Sequence, residues 1–262
     1  MKRTKNITTK IESTSFNKDT FNETGVFVWK QSIPEEVILD LQNQWKLYYS
    51  KILEEKGGRA LDTNNVVNFK ETPPDILNSF WKSEHIKKIA TAIWGENVAL
   101  YNHRIVMKDK NSDQTVFLHQ DYCYHVGFPE KCSLFIPLFE CGEKEGGMTY
   151  YLGTHQYGYL GDAGEIDDKQ FDQWPQVLPN LKPGDVAIMN SSIWHKSGPN
   201  KSDNERVLFD IIIQPSNDPS GTDLIAGEWQ TDFWIDQRKN EEFKTENLFI
   251  NCRAKKIKNL SK

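Results

Sequence analysis

The sequence predicts a mainly β fold with flanking helices, a jelly roll (double-stranded β-helix). Three observations predict it. Helical patterning is confined to the first hundred residues. After Gly95 the pattern changes to short apolar runs separated by turn signals, the mark of a sandwich or barrel. A helical prelude ahead of such strands fits a jelly roll carrying helices on its flank. The third is the supply of core material: 8 Trp, 9 Tyr and 14 Phe in 262 residues carry much of the apolar area.

Each element has its own signal. Residues 1–20 read as a loosely held lead-in. Gly25–Trp29 (GVFVW) reads as a short strand. Ser32-Ile33-Pro34-Glu35 is a capping box with proline just inside the helix it opens. Val37, Leu39, Leu41, Trp45, Leu47, Tyr48 and Ile52 then recur at helical spacing up to Gly57-Gly58. Residues 59–73 are polar and irregular. A short helix follows Pro73-Pro74, and another covers Glu84–Trp94 with Ile86, Ile89 and Ile93 on one face. Val98–Met107, Thr115–His119, Cys132–Phe139, Met148–Leu152, Val186–Asn190 and Arg206–Gln214 read as strands, with turn chemistry at Asp109–Asp113. The expected organisation is a flexible lead-in over 1–20 and a jelly-roll domain with N-terminal helices over 21–215. An extension over 216–262 would pack on the domain or act as a lid or oligomer contact.

Composition excludes several function classes. Lys+Arg total 32 against 37 Asp+Glu, a net charge of −5, which speaks against a general nucleic-acid binder. Four cysteines with no C-x-x-C pair exclude a disulfide scaffold and a structural zinc site. Residues 1–18 are basic and polar with no apolar core of a secretion signal, and the longest apolar runs, such as Leu134–Phe139, are too short to span a bilayer. The expectation is a cytoplasmic protein without a membrane or nucleic-acid partner.

The six histidines hold the chemical signal. In His119-Gln120-Asp121, residues two apart on a strand face one side, so an imidazole and a carboxylate can share a cavity. Alone this pattern arises by chance. His195, in Ile193-Trp194-His195-Lys196-Ser197-Gly198-Pro199-Asn200, closes a strand-like run and precedes a turn. Two histidines and one carboxylate would make a facial triad, which leaves coordination positions open and suits non-haem Fe(II). Arg206 lies eleven residues after His195 across a turn-rich segment, which places it on the next antiparallel strand, deeper in the same cavity. It opens the apolar run Val207–Ile213, where a buried arginine needs a partner. Arg206 and Ser197 together suit the far carboxylate of a dicarboxylate.

These segments resemble the phytanoyl-CoA dioxygenase family of Fe(II)/2-oxoglutarate-dependent oxygenases. The residues that carry the resemblance are His119-Gln120-Asp121, Glu145 to His155 (EGGMTYYLGTH), Leu181-Lys182-Pro183-Gly184-Asp185, and His195-Lys196-Ser197-Gly198-Pro199-Asn200 followed by Arg206. Gly25-Val26-Phe27-Val28 and the Pro34 helix are similar to the family's opening, and the likeness covers roughly residues 20–215. It implies that His119, Asp121 and His195 are iron ligands. It also implies that Ser197 and Arg206 hold the 5-carboxylate of 2-oxoglutarate, with O2 as the second co-substrate. His155 reads as structural. The family's halogenases replace the ligand aspartate with a small residue, so Asp121 favours hydroxylation or a related oxidation such as desaturation.

The expected activity is oxidation of a small-molecule metabolite with release of succinate and CO2, with no catalytic acid or base. Arg104, Tyr122 and His125 are the candidate substrate contacts, with Tyr124 and His103 nearby. Lys108 has no assigned role. The alternative is a cupin-like metal-binding module without oxygenase turnover. Substrate identity and homo-oligomerisation stay open.

Overall fold

The computed structural model describes residues 7–55, 66–68, 75–159, 161 and 166–230. The chain opens with β1 (Glu12–Ser13), α1 (Lys18–Thr24) and β2 (Val26–Trp29). Next come α2 (Glu35–Glu55), β3 (Val66–Asn68), α3 (Asp75–Ser79) and α4 (Glu84–Trp94). The β region comprises β4 (Val98–Lys108), β5 (Val116–His119), β6 (Cys132–Pro137), β7 (Met148–Tyr151), β8 (Gln176–Val177) and β9 (Val186–Asn190). It ends with β10 (His195–Ser197), β11 (Arg206–Pro215) and β12 (Leu224–Ala226).

The strands form two open sheets. The larger has the order β1-β2-β9-β6-β11-β4-β12, with β3 on the same edge of β4 as β12. The smaller runs β5-β10-β7-β8. Alternation along each strand divides the core into two layers. Phe27 and Trp29, Leu134 and Ile136, and Val207, Phe209 and Ile211 pack against Ile38, Leu41 and Trp45 of α2 and Ile86, Ile89 and Ile93 of α4. Their neighbours Val26, Val28, Phe135, Met189 and Leu208 face the other way, onto Met148, Tyr150 and Leu152 of the small sheet. The helices therefore cover the outer face of the large sheet, and the inner faces of the two sheets meet. This is a jelly roll with flanking helices. Being buried on both faces is why β11 and β6 read as continuous apolar runs instead of alternating ones.

Helix α4 matches its sequence signals at both ends. Ser83 caps it through the Ile86 amide at 3.4 Å, and Gly95 ends it with φ +81°. Sheet pairing extends beyond both ends of the 21–215 span. Within the lead-in, Ile11 is buried, its carbonyl accepts from the Val28 amide, and β1 pairs with β2. At the other end β12 pairs with β4, so the sheet continues past residue 215. Residues 1–6 and 231–262, including Phe233, Trp234 and the basic terminus, lie outside the described residues. Among the described residues no helix is long and apolar enough to cross a membrane.

Candidate metal centre

The small sheet builds a row of three side chains. In the register of β10, His195 stands opposite His119 of β5 on one side and opposite Tyr150 of β7 on the other. The His119 and His195 ring centroids are 4.3 Å apart, and Tyr150 lies 6.3 Å from His195. His195 thus starts a strand and does not close one. Asp121 is not on a strand: it opens a 3₁₀ turn, Asp121–Tyr124, directly after β5. Gln120 causes the bend. It is fully buried, its amide donates to the Gly158 and Ser192 carbonyls, and the next amide but one, of Tyr122, donates to Ser191.

The turn brings Asp121 Oδ1 to 3.3 Å from His119 Nε2 and 3.6 Å from His195 Nε2. One ligand atom from each of the three residues lies within 4.8 Å of the others, a spacing that can hold a metal ion. The Nδ1 atoms point away: that of His119 is 2.7 Å from the Phe117 carbonyl and that of His195 is 3.1 Å from the Ile193 carbonyl. A proton on Nδ1 satisfies each carbonyl and leaves the Nε2 lone pair facing Asp121, the tautomer a metal ligand requires. Burial opposes ionisation of Asp121, but the imidazoles of His195 and His119 outweigh it and hold the carboxyl well below the usual carboxylate range. Burial, with His119 adjacent, pushes His195 down to about 4. It stays neutral near pH 7.

The large sheet supplies the opposite wall. Arg206 and Lys108 stand directly across from each other on β11 and β4, and both side chains are buried. Arg206 Nη1 donates to the Gly146 carbonyl at 2.7 Å, while its Nε is buried with no partner. Gly146 has φ +71°, and a Cβ there would come within 2.6 Å of the Gly198 carbonyl oxygen. Glycine is therefore needed where this loop crosses the exit of β10. Lys108 Nζ donates to the Gln114 carbonyl at 3.1 Å and to that of Gly198. Burial and the neighbouring guanidinium push Lys108 down to about 7. Ser197 is buried two residues after His195 on the same face of β10. One expectation changes here. Strands β10 and β11 belong to different sheets, so Arg206 is not on the strand next to His195 but faces it from the other layer.

A cavity of about 400 Å³ opens beside the triad, bordered by His119 and Asp121. Arg104 and His125 line it, as does Tyr124. Arg104 donates through Nε to Asp210 at 2.8 Å, across the β4–β11 register. His125 is buried 5.0 Å from the Tyr101 ring, and burial, outweighing Asp121, pushes it down to about 3. Tyr122 does not line this cavity; its ring faces Tyr159 at 6.3 Å. The reason is the 3₁₀ turn, in which residues three apart eclipse, so Tyr124 follows Asp121 toward the cavity and Tyr122 turns away. His103 points to the outer face, 6.3 Å from Trp81. His155 Nε2 is 3.0 Å from the Asn22 carbonyl, and its ring packs on Gly25, where a Cβ would approach it to 2.5 Å. Missing from the sequence reading are Tyr150, Asp210, Asn102 and Thr222. Asp210 had a visible signal, a carboxylate inside the apolar run Val207–Ile213.

Comparison with known proteins agrees with this architecture. The family model described as phytanoyl-CoA dioxygenase (PhyH) matches residues 21–208. A "Probable alpha-ketoglutarate-dependent hypophosphite dioxygenase" of Stutzerimonas stutzeri is 28% identical over 166 residues, 57% of this chain and 56% of that protein. "Dioxygenase cnsJ" of Penicillium expansum is 30% identical over 96 residues, 36% of this chain and 27% of that protein. The chain thus spans about a quarter to about half of these two relatives. Among solved structures, the "non-heme monooxygenase; ThoJ apo" superposes with a TM-score of 0.66 at 18% identity, over 83% of this chain and 85% of that one. The epimerase SnoN in complex with Fe3+ and alpha ketoglutarate gives 0.63 at 13% identity, over 76% and 82%. At these identities the structural likeness shows the fold.

Proposed function

The chain belongs to the phytanoyl-CoA dioxygenase family, and from that premise we propose that it is an Fe(II)/2-oxoglutarate-dependent oxygenase acting on a small molecule. One observation carries the proposal. A His-Asp-His set with its Nε2 lone pairs converged faces, across the same interior, a buried arginine whose Nε has no partner. A metal site alone would not need that arginine, and a dicarboxylate co-substrate does.

His119, Asp121 and His195 would hold the iron, and Arg206 with Ser197 would take the distal carboxylate of 2-oxoglutarate. The donor set fits: two imidazoles and one carboxylate form the triad typical of non-haem Fe(II) sites with open positions. Bound there, iron with 2-oxoglutarate and O2 supplies the oxidising chemistry, with succinate and CO2 as co-products. The chain itself binds, orients and shields. The backbone carbonyls of Phe117 and Ile193 fix the two imidazoles. Gly146 fixes one arm of Arg206, so the guanidinium meets its carboxylate already oriented. No side chain is required as a general acid or base. With Asp121 in the triad, hydroxylation or a related oxidation is favoured over halogenation. The cavity of about 400 Å³ suits a small-molecule substrate.

The test is anaerobic addition of Fe(II) and 2-oxoglutarate, followed by O2 and ascorbate. The expected result is binding of 2-oxoglutarate that depends on the metal, and succinate release that dioxygen triggers. Metal binding without 2-oxoglutarate binding, and no succinate with any candidate substrate, would replace the oxygenase by a metal-binding module.

A further inference from the structure

The cavity beside the triad has a wall that neither the metal set nor the 2-oxoglutarate anchor uses. Two polar atoms in that wall are buried and unpartnered: Nδ1 of His125 and Oγ1 of Thr222. The residues are 5% and 7% exposed, so water does not satisfy them from bulk. A buried polar group left unpaired is costly and calls for an explanation, and a ligand that completes it is one.

The hydrogen-bonding sense of the wall is one-sided. Arg104 carries donors only, and among the described residues it spends just its Nε, on Asp210. Asn102 lines the same cavity, and its Oδ1 accepts from the His103 amide at 2.8 Å, which leaves its side-chain amide nitrogen, a donor, as its other polar group. The Thr222 hydroxyl can donate, and the neutral His125 ring can place its proton on either nitrogen. Of the nearby carboxylates, Asp121 belongs to the metal set; Asp210 does not line the cavity, and its Oδ2 takes Arg104 while its Oδ1 is buried without a partner. Among the lining residues the donors of Arg104 and Thr222 outnumber the acceptors outside the metal set, so the wall complements a group that accepts better than an amine or ammonium. Ion pairing with Asp210 leaves the wall close to electrically neutral, so recognition here relies on directed hydrogen bonds more than on a cationic field.

We propose that Arg104, Asn102, His125 and Thr222 form the substrate-recognition wall, and that they select substrates presenting an oxyanion, a carboxylate or a phosphonate-type group, to the metal face. The proposal rests on the oxygenase reading above and supplies its substrate class. His119 and Asp121 border the same cavity, so the anchored group sits beside the reacting centre and the oxidised carbon must lie a short distance from it.

The experiment is calorimetric titration of the Fe(II)-loaded chain, anaerobic and saturated with 2-oxoglutarate, with butyrate, propylphosphonate and the neutral butyramide. At least one anion is expected to bind about tenfold tighter than the amide, a difference of about 1.4 kcal/mol. Which anion binds better distinguishes the carboxylate from the phosphonate class. Arg104→Gln and the near-isosteric Thr222→Val should each weaken the anion about fivefold or more, while 2-oxoglutarate affinity moves less than about twofold. Thr222→Val leaves Asp210 paired, so it keeps the test valid if the Arg104 variant misfolds. Equal or tighter amide binding, no anion binding at 50 mM (roughly a 2 kcal/mol ceiling), or unchanged anion affinity in both variants would overturn the proposal. A parallel weakening of 2-oxoglutarate in Arg104→Gln would reassign Arg104 to the co-substrate and overturn it too. If the metal-loaded wild type binds no 2-oxoglutarate, the oxygenase reading fails instead, and the same titration with metal alone still decides the wall.

Discussion

The two sheets contribute to the site in opposite ways. The small sheet places His119 and His195 on β5 and β10, strands of 4 and 3 residues, and Asp121 on a turn beyond them. The large sheet places Arg104, Lys108, Arg206 and Asp210 on β4 and β11, strands of 11 and 10 residues buried along most of their length. Short strands with a bend suit a metal set, because three side chains from separate segments must converge on one point. Long, doubly covered strands suit charge anchors, because a charge removed from water must be held where its partners are fixed. On the small sheet the Nδ1 atoms of His119 and His195 meet backbone carbonyls, while their Nε2 lone pairs and the Asp121 carboxylate converge. On the large sheet Arg206 Nε, and farther along β11 Asp210 Oδ1, are buried without a partner. The triad side is therefore arranged to be completed by a cation, and the arginine side by an anion.

Removing a group from each side tests that contrast. Asp121→Ala should have the largest effect. It deletes the one anionic ligand and leaves two buried imidazoles, so metal-dependent succinate formation should fall by at least about 1,000-fold, near 4 kcal/mol. Metal content after dialysis should fall with it. Retained activity would show that the carboxylate is dispensable and that the small sheet is not the metal side. Arg206→Met should act on the co-substrate alone. Loss of a charge-assisted contact of about 2 kcal/mol raises the KM for 2-oxoglutarate about 30-fold, with metal binding unchanged. Its effect on the ligand-free protein should have the opposite sign. Arg206 is a buried cation with no carboxylate partner among the described residues, so methionine should hold or raise Tm. The protection that 2-oxoglutarate gives against thermal unfolding should vanish. A variant that both loses affinity and unfolds readily would make Arg206 a structural member of the large sheet.

The same contrast explains what could be read without coordinates. Strands β9 and β11 and helix α4 are legible because burial on one or both faces writes itself into a run or a period, and Ser83 and Gly95 punctuate α4. The strands that escaped, β1, β3, β8 and β12, have at most 3 residues, too few to carry a pattern. Their pairing is dictated by neighbours distant in the chain. In the site, His119, Asp121, His195 and Arg206 were legible as spaced residue types. Their placement on different sheets was not, since spacing along the chain does not say which layer a strand joins. Tyr122 was misplaced for a local reason, the change from an extended strand to a 3₁₀ turn after Gln120. Thr222 and Asn102 carried no signal at all: a threonine in a loop and an asparagine in a strand become informative only when a cavity is seen beside them.

The smallest expected effect concerns Lys108, and it tests whether the large sheet holds its cations at a cost. Burial beside Arg206 lowers Lys108 from its ordinary value to about 7, while in the unfolded chain it titrates near 10.5. The folded state thus binds fewer protons than the unfolded state between those two values. The unfavourable contribution of Lys108 to folding is fully present below about pH 7 and is relieved as pH rises toward 10.5. Lys108→Met removes the titration. The Tm of the wild type relative to this variant should therefore climb between pH 7 and pH 9, by about 2 kcal/mol when converted to stability. The hydrogen bonds from Nζ to the Gln114 and Gly198 carbonyls oppose this by favouring the ammonium, and methionine loses them at every pH. Because those bonds are stronger to the ammonium than to the neutral amine, they help set where Lys108 titrates in the folded state, so the slope reads the net preference of the site for one protonation state. A flat difference across this window would mean that the carbonyls keep Lys108 charged. The large sheet would then hold two full cations face to face, and 2-oxoglutarate would meet a doubly charged anchor.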